Sequence, residues 1–480
     1  MKTSLFFSLA IFCFLFSLQT LQSQETIEIE NHNVISQNGA IPSPGYFSPV
    51  PLIPSKCIPD ATRTEVKQTL IANKQEILRT RPDAFNRSGN HPLFVLPIKA
   101  KDGFDDYGYY TVNFQVDHDA TPNNNLLDYN CAQRTYDWGT GNHEGTDYIL
   151  WPYPWKSMDE EIMEIIAAAD GTIIDKRDGH FDLNCAINGN PNWNGIVLEH
   201  ADGSQTWYWH FKDGAITSKG IGDTVVAGEY LGAAGSSGSS NWPHLHFEVY
   251  NNNGDLIDPY EGPCNDMNPD TWWVNQPDYF VPAINRIATH NTAQFDDACA
   301  VIENTYEELN FFPGDDLIIR LFYRDIQQGA TTDFMILDPD GVEYVSWSWT
   351  QNWGADYATA HAHWEFDVTA AWPEGVYTMQ TTFDGTVYET IFGVGTNLGV
   401  EDINVPIFEI YPNPVSEKLF ISSVQTIDAI TLYDVRGRKV MESIGNKTSA
   451  TLDMTSLKAG VYFVQINAEG SLSTHKVIKK

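Results

Sequence analysis

The chain has 480 residues, 42% of them hydrophobic, and a formal net charge of −35 at pH 7. That length supports two or three domains with cores of their own. So negative a balance keeps a protein soluble and argues against nucleic acid or an anionic membrane surface as partner.

In chain order, the first element reads as an export signal over residues 1–23. Lys2 supplies the positive start, Leu5 to Leu18 form an apolar run broken by Ser8 and Ser17, and Ser23 offers a small residue for cleavage. The run is too short to span a bilayer comfortably, and no later segment is a candidate span. Residues 24–90 form a lead-in or propeptide-like segment. Its first part is rich in Asn, Ser, Gln and Pro, and Ala61 to Arg81 reads as a polar helix. Cys13 leaves with the signal. Cys57, Cys131, Cys185, Cys264 and Cys299 remain in an oxidising compartment, with no Cys-x-x-Cys pair and one cysteine left over. Their pairing is open.

Residues 91–265 are short strands separated by Gly, Asn and Asp. Examples are Gly195 to Glu199, Thr206 to His210 and Leu245 to Val249, the pattern of an all-β domain. Residues 280–398 repeat that spacing, with Asp338-Pro339-Asp340-Gly341 as a turn, and suggest an immunoglobulin-like β-sandwich. Its role is open between substrate or surface binding and a passive spacer. Residues 405–480 change in charge, with nine Lys/Arg against seven acids, which marks a module boundary. The expected fold class is therefore mainly β.

The residues that carry chemistry lie in the first β domain. On a strand, His244 and His246 share one face, two residues apart. About a hundred residues upstream, His143 and Asp147 flank Gly145, whose freedom allows a tight turn. Two imidazoles and a carboxylate with one position open are the ligand set of a catalytic zinc site. The reading assigns zinc to His143, Asp147 and His246. His210 and His244 remain to handle protons and steady a tetrahedral intermediate. Glu144 is expected to face solvent, since no His-Glu-x-x-His is present. His361-Ala362-His363 repeats the same-face spacing in the second region but has no accompanying carboxylate pattern.

These motifs carry a resemblance. His-x-Gly-x-Asp (His143 to Asp147), Tyr-x-His (Tyr208 to His210) and Pro-His-Leu-His-Phe-Glu (Pro243 to Glu248) resemble the lysostaphin and LytM type of zinc endopeptidase. The resemblance implies an antiparallel β domain with a groove across one sheet. It also implies zinc on His143, Asp147 and His246, with His210 and His244 catalytic. Two positions depart from that pattern: Trp242 where the family usually has Gly, and Phe211 where it has Leu. The C-terminal stretch, with Tyr411-Pro412-Asn413-Pro414, Tyr433 to Gly437 and Ala459 to Val464, resembles the sorting domain of the type IX secretion system. That implies a small β-sandwich, the type IX machinery as partner, and an extracellular or cell-surface location. The expected activity is hydrolysis of peptide bonds in peptidoglycan. One alternative is a secreted zinc protease acting on glycine-rich proteins such as elastin. Another, from a different class, is a cell-wall binding protein that cuts nothing.

Overall fold

The computed structural model describes residues 27–28, 32–36, 46–49, 58–85, 89–119, 125–138, 141–295, 299, 303–398, 409–434, 438–468 and 471–480. The export signal and Cys57 lie outside the described residues. The chain divides into two compact units, Met1–Gly395 and Thr396–Lys480.

Within the first unit, the region that carries the chemistry is built on two antiparallel sheets. The larger runs Thr224–Val225, Gly171–Arg177, Gly195–Glu199, Gln205–Trp209, His244–Tyr250, Thr146–Leu150, Tyr110–Phe114, with Leu256–Ile257 added beside His244–Tyr250. The smaller runs Phe211–Ile216, Tyr230–Ala234, Met163–Ile166, Ile98–Ala100. Alternation along His244–Tyr250 explains the layering. Leu245, Phe247 and Val249 point into the core shared with Ile165, Phe211 and Leu231. The even-numbered His244, His246, Glu248 and Tyr250 are left to the opposite face.

That opposite face is covered in part by the helix Asp60–Thr80. The segment lacks Gly and Pro, and Val66, Leu70 and Ile77 recur at helical spacing on one side. Those three bury against Ile174, Val197, Trp207 and Trp209, each contributing about 1.5–3 kcal/mol as an upper figure. The helix stops at Thr80 because Arg81 precedes Pro82, which disfavours helical backbone at the residue before it. The expected helix over Ala61 to Arg81 is therefore present. Phe94 makes only an isolated bridge to Trp273, and the strand begins at Ile98. Pro97 has no N–H to donate to a ladder.

Further along, a five-stranded sheet centred on Asp316–Ile326 and Tyr357–Asp367 and a six-stranded sheet centred on Thr331–Leu337 and Gly375–Phe383 contribute to one buried cluster. The short strands Tyr46–Pro49 and His32–Ser36 extend these sheets by pairing with Tyr357–Asp367 and Glu343–Thr350. This region joins the first through Trp151, whose indole N–H donates to the Tyr323 carbonyl at 3.0 Å. Asn285 adds bonds to the carbonyls of Tyr110 and Trp151. Disulfides link Cys131 to Cys264 and Cys185 to Cys299. The second unit is one hydrogen-bonded sheet in which Lys418–Asp434 pairs with Glu409–Tyr411, Lys439–Asp453 and Gly460–Ala468, and Gly460–Ala468 pairs with Ser471–Lys479. Its core holds Leu419, Ile430, Leu432, Val464 and Ile466. The protein is thus mainly β, in several antiparallel sheets.

Candidate metal centre

The register of the large sheet assembles the site. Asp147 sits directly across from His246 in the ladder between Thr146–Leu150 and His244–Tyr250. His143 comes in from the segment just before Thr146, so one adjoining stretch and one neighbouring strand supply all three groups. His143, Asp147 and His246 are buried, and their ligand atoms lie within 4.8 Å of one another. His143 Nε2 is 3.2 Å from His246 Nδ1 and 3.3 Å from Asp147 Oδ2. Donors about 2.0–2.1 Å from a tetrahedral zinc ion lie about 3.3 Å apart, so these two separations already suit one. His246 Nδ1 and Asp147 Oδ1 are closer, at 2.7 Å.

Hydrogen bonding to carbonyls and carboxylates, which only accept, fixes where each imidazole carries its proton. His143 Nδ1–H donates to the Gln115 carbonyl at 2.7 Å, which leaves the Nε2 lone pair facing the cluster. His246 Nε2–H donates to Glu248 Oε1 at 2.9 Å, which leaves Nδ1 facing it. This is the outer-shell arrangement that orients metal-ligating histidines. The donor set of two imidazole nitrogens and one carboxylate therefore fits zinc on the chain's own geometry.

His210 and His244 stand beside the cluster, with ring centres 4.6 Å apart. Each donates Nδ1–H to a backbone carbonyl at 2.6 Å, His210 to Ser237 and His244 to Trp242. Their Nε2 atoms are buried without a hydrogen-bond partner among the described residues, and His244 Nε2 lies 3.8 Å from Asp147 Oδ1. His210 adopts φ of +71°, a left-handed conformation rare outside glycine. It is the hinge where the chain leaves Gln205–Trp209 in one sheet for Phe211–Ile216 in the other, and such strain, about 1–3 kcal/mol, gathers at functional sites.

Electrostatics follow from burial in the presence of few counter-charges. Burial pushes the His210 pKa down, helped by His244 and His246, to well below the usual histidine value. His244 is lowered by burial too, against an opposing pull from Asp147. Both shifts favour the neutral ring, whose buried Nε2 lone pair is left to accept a proton. Burial opposes ionisation of Asp147, but His143, His246 and His244 outweigh it and hold its carboxyl well below the carboxylate range. In the metal-free protein, burial works to lower His246, but Asp147 and Glu248 prevail and raise it to about 9.

The structure changes two expectations, for Gly145 and Glu144, and places three further residues of the region. Gly145 is required by close approach: a Cβ there would come within 2.8 Å of the His246 ring and of the Phe247 carbonyl. Glu144 is half-buried and pairs with Arg63 at 2.5 Å, so it does not simply face solvent. Tyr208 points into the core, where its hydroxyl accepts the Ala168 N–H. Trp242 gives its carbonyl to His244 and buries its ring against Trp151, Tyr153 and Phe322. His200 is held by the Asp170 carbonyl and the Thr206 hydroxyl, a structural role. Arg63, Gln115 and Glu248 escaped the sequence reading. Of these only Glu248 left a signal, on the same strand face as His246 two residues away.

Residues 155–259 match peptidase family M23, and residues 409–480 match the secretion system C-terminal sorting domain. Among solved structures, the chain is similar to the catalytic domain of the antimicrobial peptidase lysostaphin from Staphylococcus simulans. That match has 25% identity, covers 33% of this chain and 89% of that one, and has a TM-score of 0.19. It is also similar to a zinc containing peptidase from Vibrio cholerae, at 22% identity, over 36% of this chain and 41% of that one, with a TM-score of 0.22. A third is the catalytic domain of the prophage-encoded M23 protein EnpA from Enterococcus faecalis, at 23% identity over 35% and 94%, with a TM-score of 0.20. No curated protein matches the chain.

Family match and buried triad together define a zinc metalloendopeptidase. More particularly, the chain carries an M23-family peptidase domain and a type IX secretion sorting domain. The sorting domain places it outside the cell or at its surface. Among the described residues, no helix is long and apolar enough to cross a membrane.

Proposed function

We propose that this secreted enzyme cuts peptide bonds in bacterial peptidoglycan, with zinc held by His143, Asp147 and His246 and with His210 and His244 as catalytic residues. The observation that carries the reading is the set of fixed proton positions. Every imidazole in the cluster has its outer nitrogen committed to a carbonyl or carboxylate and its inner nitrogen turned toward the cluster. When bound, zinc supplies Lewis acidity to the attacking water and to the scissile carbonyl. His210 and His244 do the proton work: a neutral Nε2 accepts the proton of the water and returns it to the leaving amine. Held by Ser237 and Trp242, the same rings can donate to the oxygen that gains charge in the tetrahedral intermediate once they are protonated.

On this reading, residues 91–265 form the catalytic domain, with its groove across the sheet face that bears the histidines. Residues 280–398 form an immunoglobulin-like sandwich, which two sheets around one core support. Residues 405–480 form the small sorting domain, 1–23 the export signal and 24–90 the lead-in. The partners are wall peptides and the type IX machinery. Purified protein incubated with sacculi should release new free amino termini, identified by mass spectrometry of the solubilised fragments. Cleavage of elastin or pentaglycine with intact sacculi would move the substrate to glycine-rich proteins. Binding to sacculi with no cleavage of any of the three would make the protein a wall-binding module.

A further inference from the structure

We infer that Arg63 is a positioning residue of the metal centre, acting through Glu248 on His246, and that the helix Asp60–Thr80 belongs to the working catalytic unit. The inference rests on the zinc reading above and assigns the control of one ligand's orientation to a segment more than 150 residues away in sequence.

Glu248 is buried and has two oxygens with different partners. Oε1 accepts from His246 Nε2. Oε2 accepts from Arg63 Nη1 at 2.5 Å and from the Tyr250 hydroxyl at 2.8 Å. The capture of Oε2 is what leaves Oε1 turned toward the imidazole. Arg63 Nη1 also lies 2.6 Å from the Tyr250 hydroxyl, and Nη2 pairs with Glu144 at 2.5 Å. Glu144 adjoins His143, so a single guanidinium ties together the two segments that supply all three metal-binding side chains. A planar fork with several donors can do this, whereas a lysine ammonium can satisfy only part of it.

The charge balance gives the same assignment. Glu144 and Glu248 place two carboxylates against the outer side of the cluster. A buried carboxylate that loses its cationic partner is strongly unfavourable and reorients. The Arg63 side chain is only 12% exposed, and its docking is specific, since Val66, Leu70 and Ile77 follow it into the sheet face. Lys74 pairs with buried Glu199, and Asn73 donates to the Ile174 carbonyl further along the same helix. Loss of an outer-shell partner of a ligating histidine typically weakens metal binding by about 10–100-fold.

The test is made on the full chain by zinc titration against a competing chelator, with the visible absorption of the cobalt-substituted protein as a second readout. Arg63→Ala is expected to weaken zinc binding by about 10–100-fold and to alter the cobalt spectrum. Arg63→Lys should recover part of the loss, which also covers the case in which the alanine variant does not fold. Val66→Ala, which loosens the helix without touching the polar network, should lower the melting temperature and leave both readouts unchanged. In a Glu248→Gln background the Arg63 substitution should lose most of its effect on zinc. Wild-type affinity and spectrum in both Arg63 variants would overturn the inference, as would an equal loss in Val66→Ala. Retention of zinc by His246→Ala would instead overturn the zinc reading, and the two failures are separable in one experiment.

Discussion

The strands His244–Tyr250 and Tyr357–Asp367 each place two histidines two residues apart on one buried face, His244 and His246 in the first, His361 and His363 in the second. Their cross-strand partners differ. Opposite His246 stands Asp147, and opposite His363 stands Arg320. In the first cluster a carboxylate draws imidazole lone pairs and a cation together. In the second, a buried guanidinium, bonded to the carbonyls of Ala293 and Gln294, adds its positive charge to burial in keeping the rings neutral. Same-face histidine spacing is therefore a weak signal by itself, and the charge of the residue across the ladder distinguishes the two clusters.

Substitutions at the centre of the first cluster should have the largest effect. His246→Ala or Asp147→Ala should abolish both zinc retention and peptide hydrolysis, read by metal analysis and release of amino termini. A zinc-replete, active variant would end the contrast between the two clusters. His210→Ala and His244→Ala should keep the metal but lower kcat by about 10²–10⁴-fold, the usual range for a positioned acid or base. Loss of zinc in those variants would make the two rings ligands instead.

Smaller effects are expected in the second cluster. His361→Ala and His363→Ala should leave zinc content and hydrolysis at the wild-type level, checked by the same two assays. Acid should act on this cluster through linkage. Burial, followed by Arg320, pushes His363 down to about 3 and His290 to about 4. Burial and Arg320 also lower His361, Glu307 and Arg286 act on His290, and the Glu365 carboxylate lies 3.2 Å from His363 Nε2. Histidines depressed in this way bind fewer protons folded than unfolded. Their contribution to stability is complete above the unfolded value, about 6.5, and is lost as pH falls through about 4. Denaturant unfolding of the full chain should show stability declining from pH 7 to pH 4, with a shallower decline in His363→Gln. An unchanged slope in that variant would show that the ring is not the group responsible.

Much of the first cluster was legible in the sequence because strand alternation is local. Pro243 to Glu248 fixes which side chains share a face, and His143 to Asp147 fixes a second short segment. The outer partners were not legible. Gln115 contributes a main-chain carbonyl, which leaves no trace in residue identity, and Arg63 reaches Glu248 across 185 positions of sequence. Gly145 was read as a turn residue, whereas its smallness serves the approach of the His246 ring. The helix was legible from its spacing of Val66, Leu70 and Ile77, but its place on the metal-bearing face depends on the sheet register. The β pattern gave the class of the middle region, and the N-terminal strands that extend its sheets carried no pairing signal of their own.

Anomalous diffraction at the zinc edge from crystals of the zinc-loaded protein tests the central claim most directly. The expected result is one strong peak among His143 Nε2, the Asp147 carboxylate and His246 Nδ1, and none beside Arg320. A peak at another group of side chains, or none within reach of these three, would contradict it.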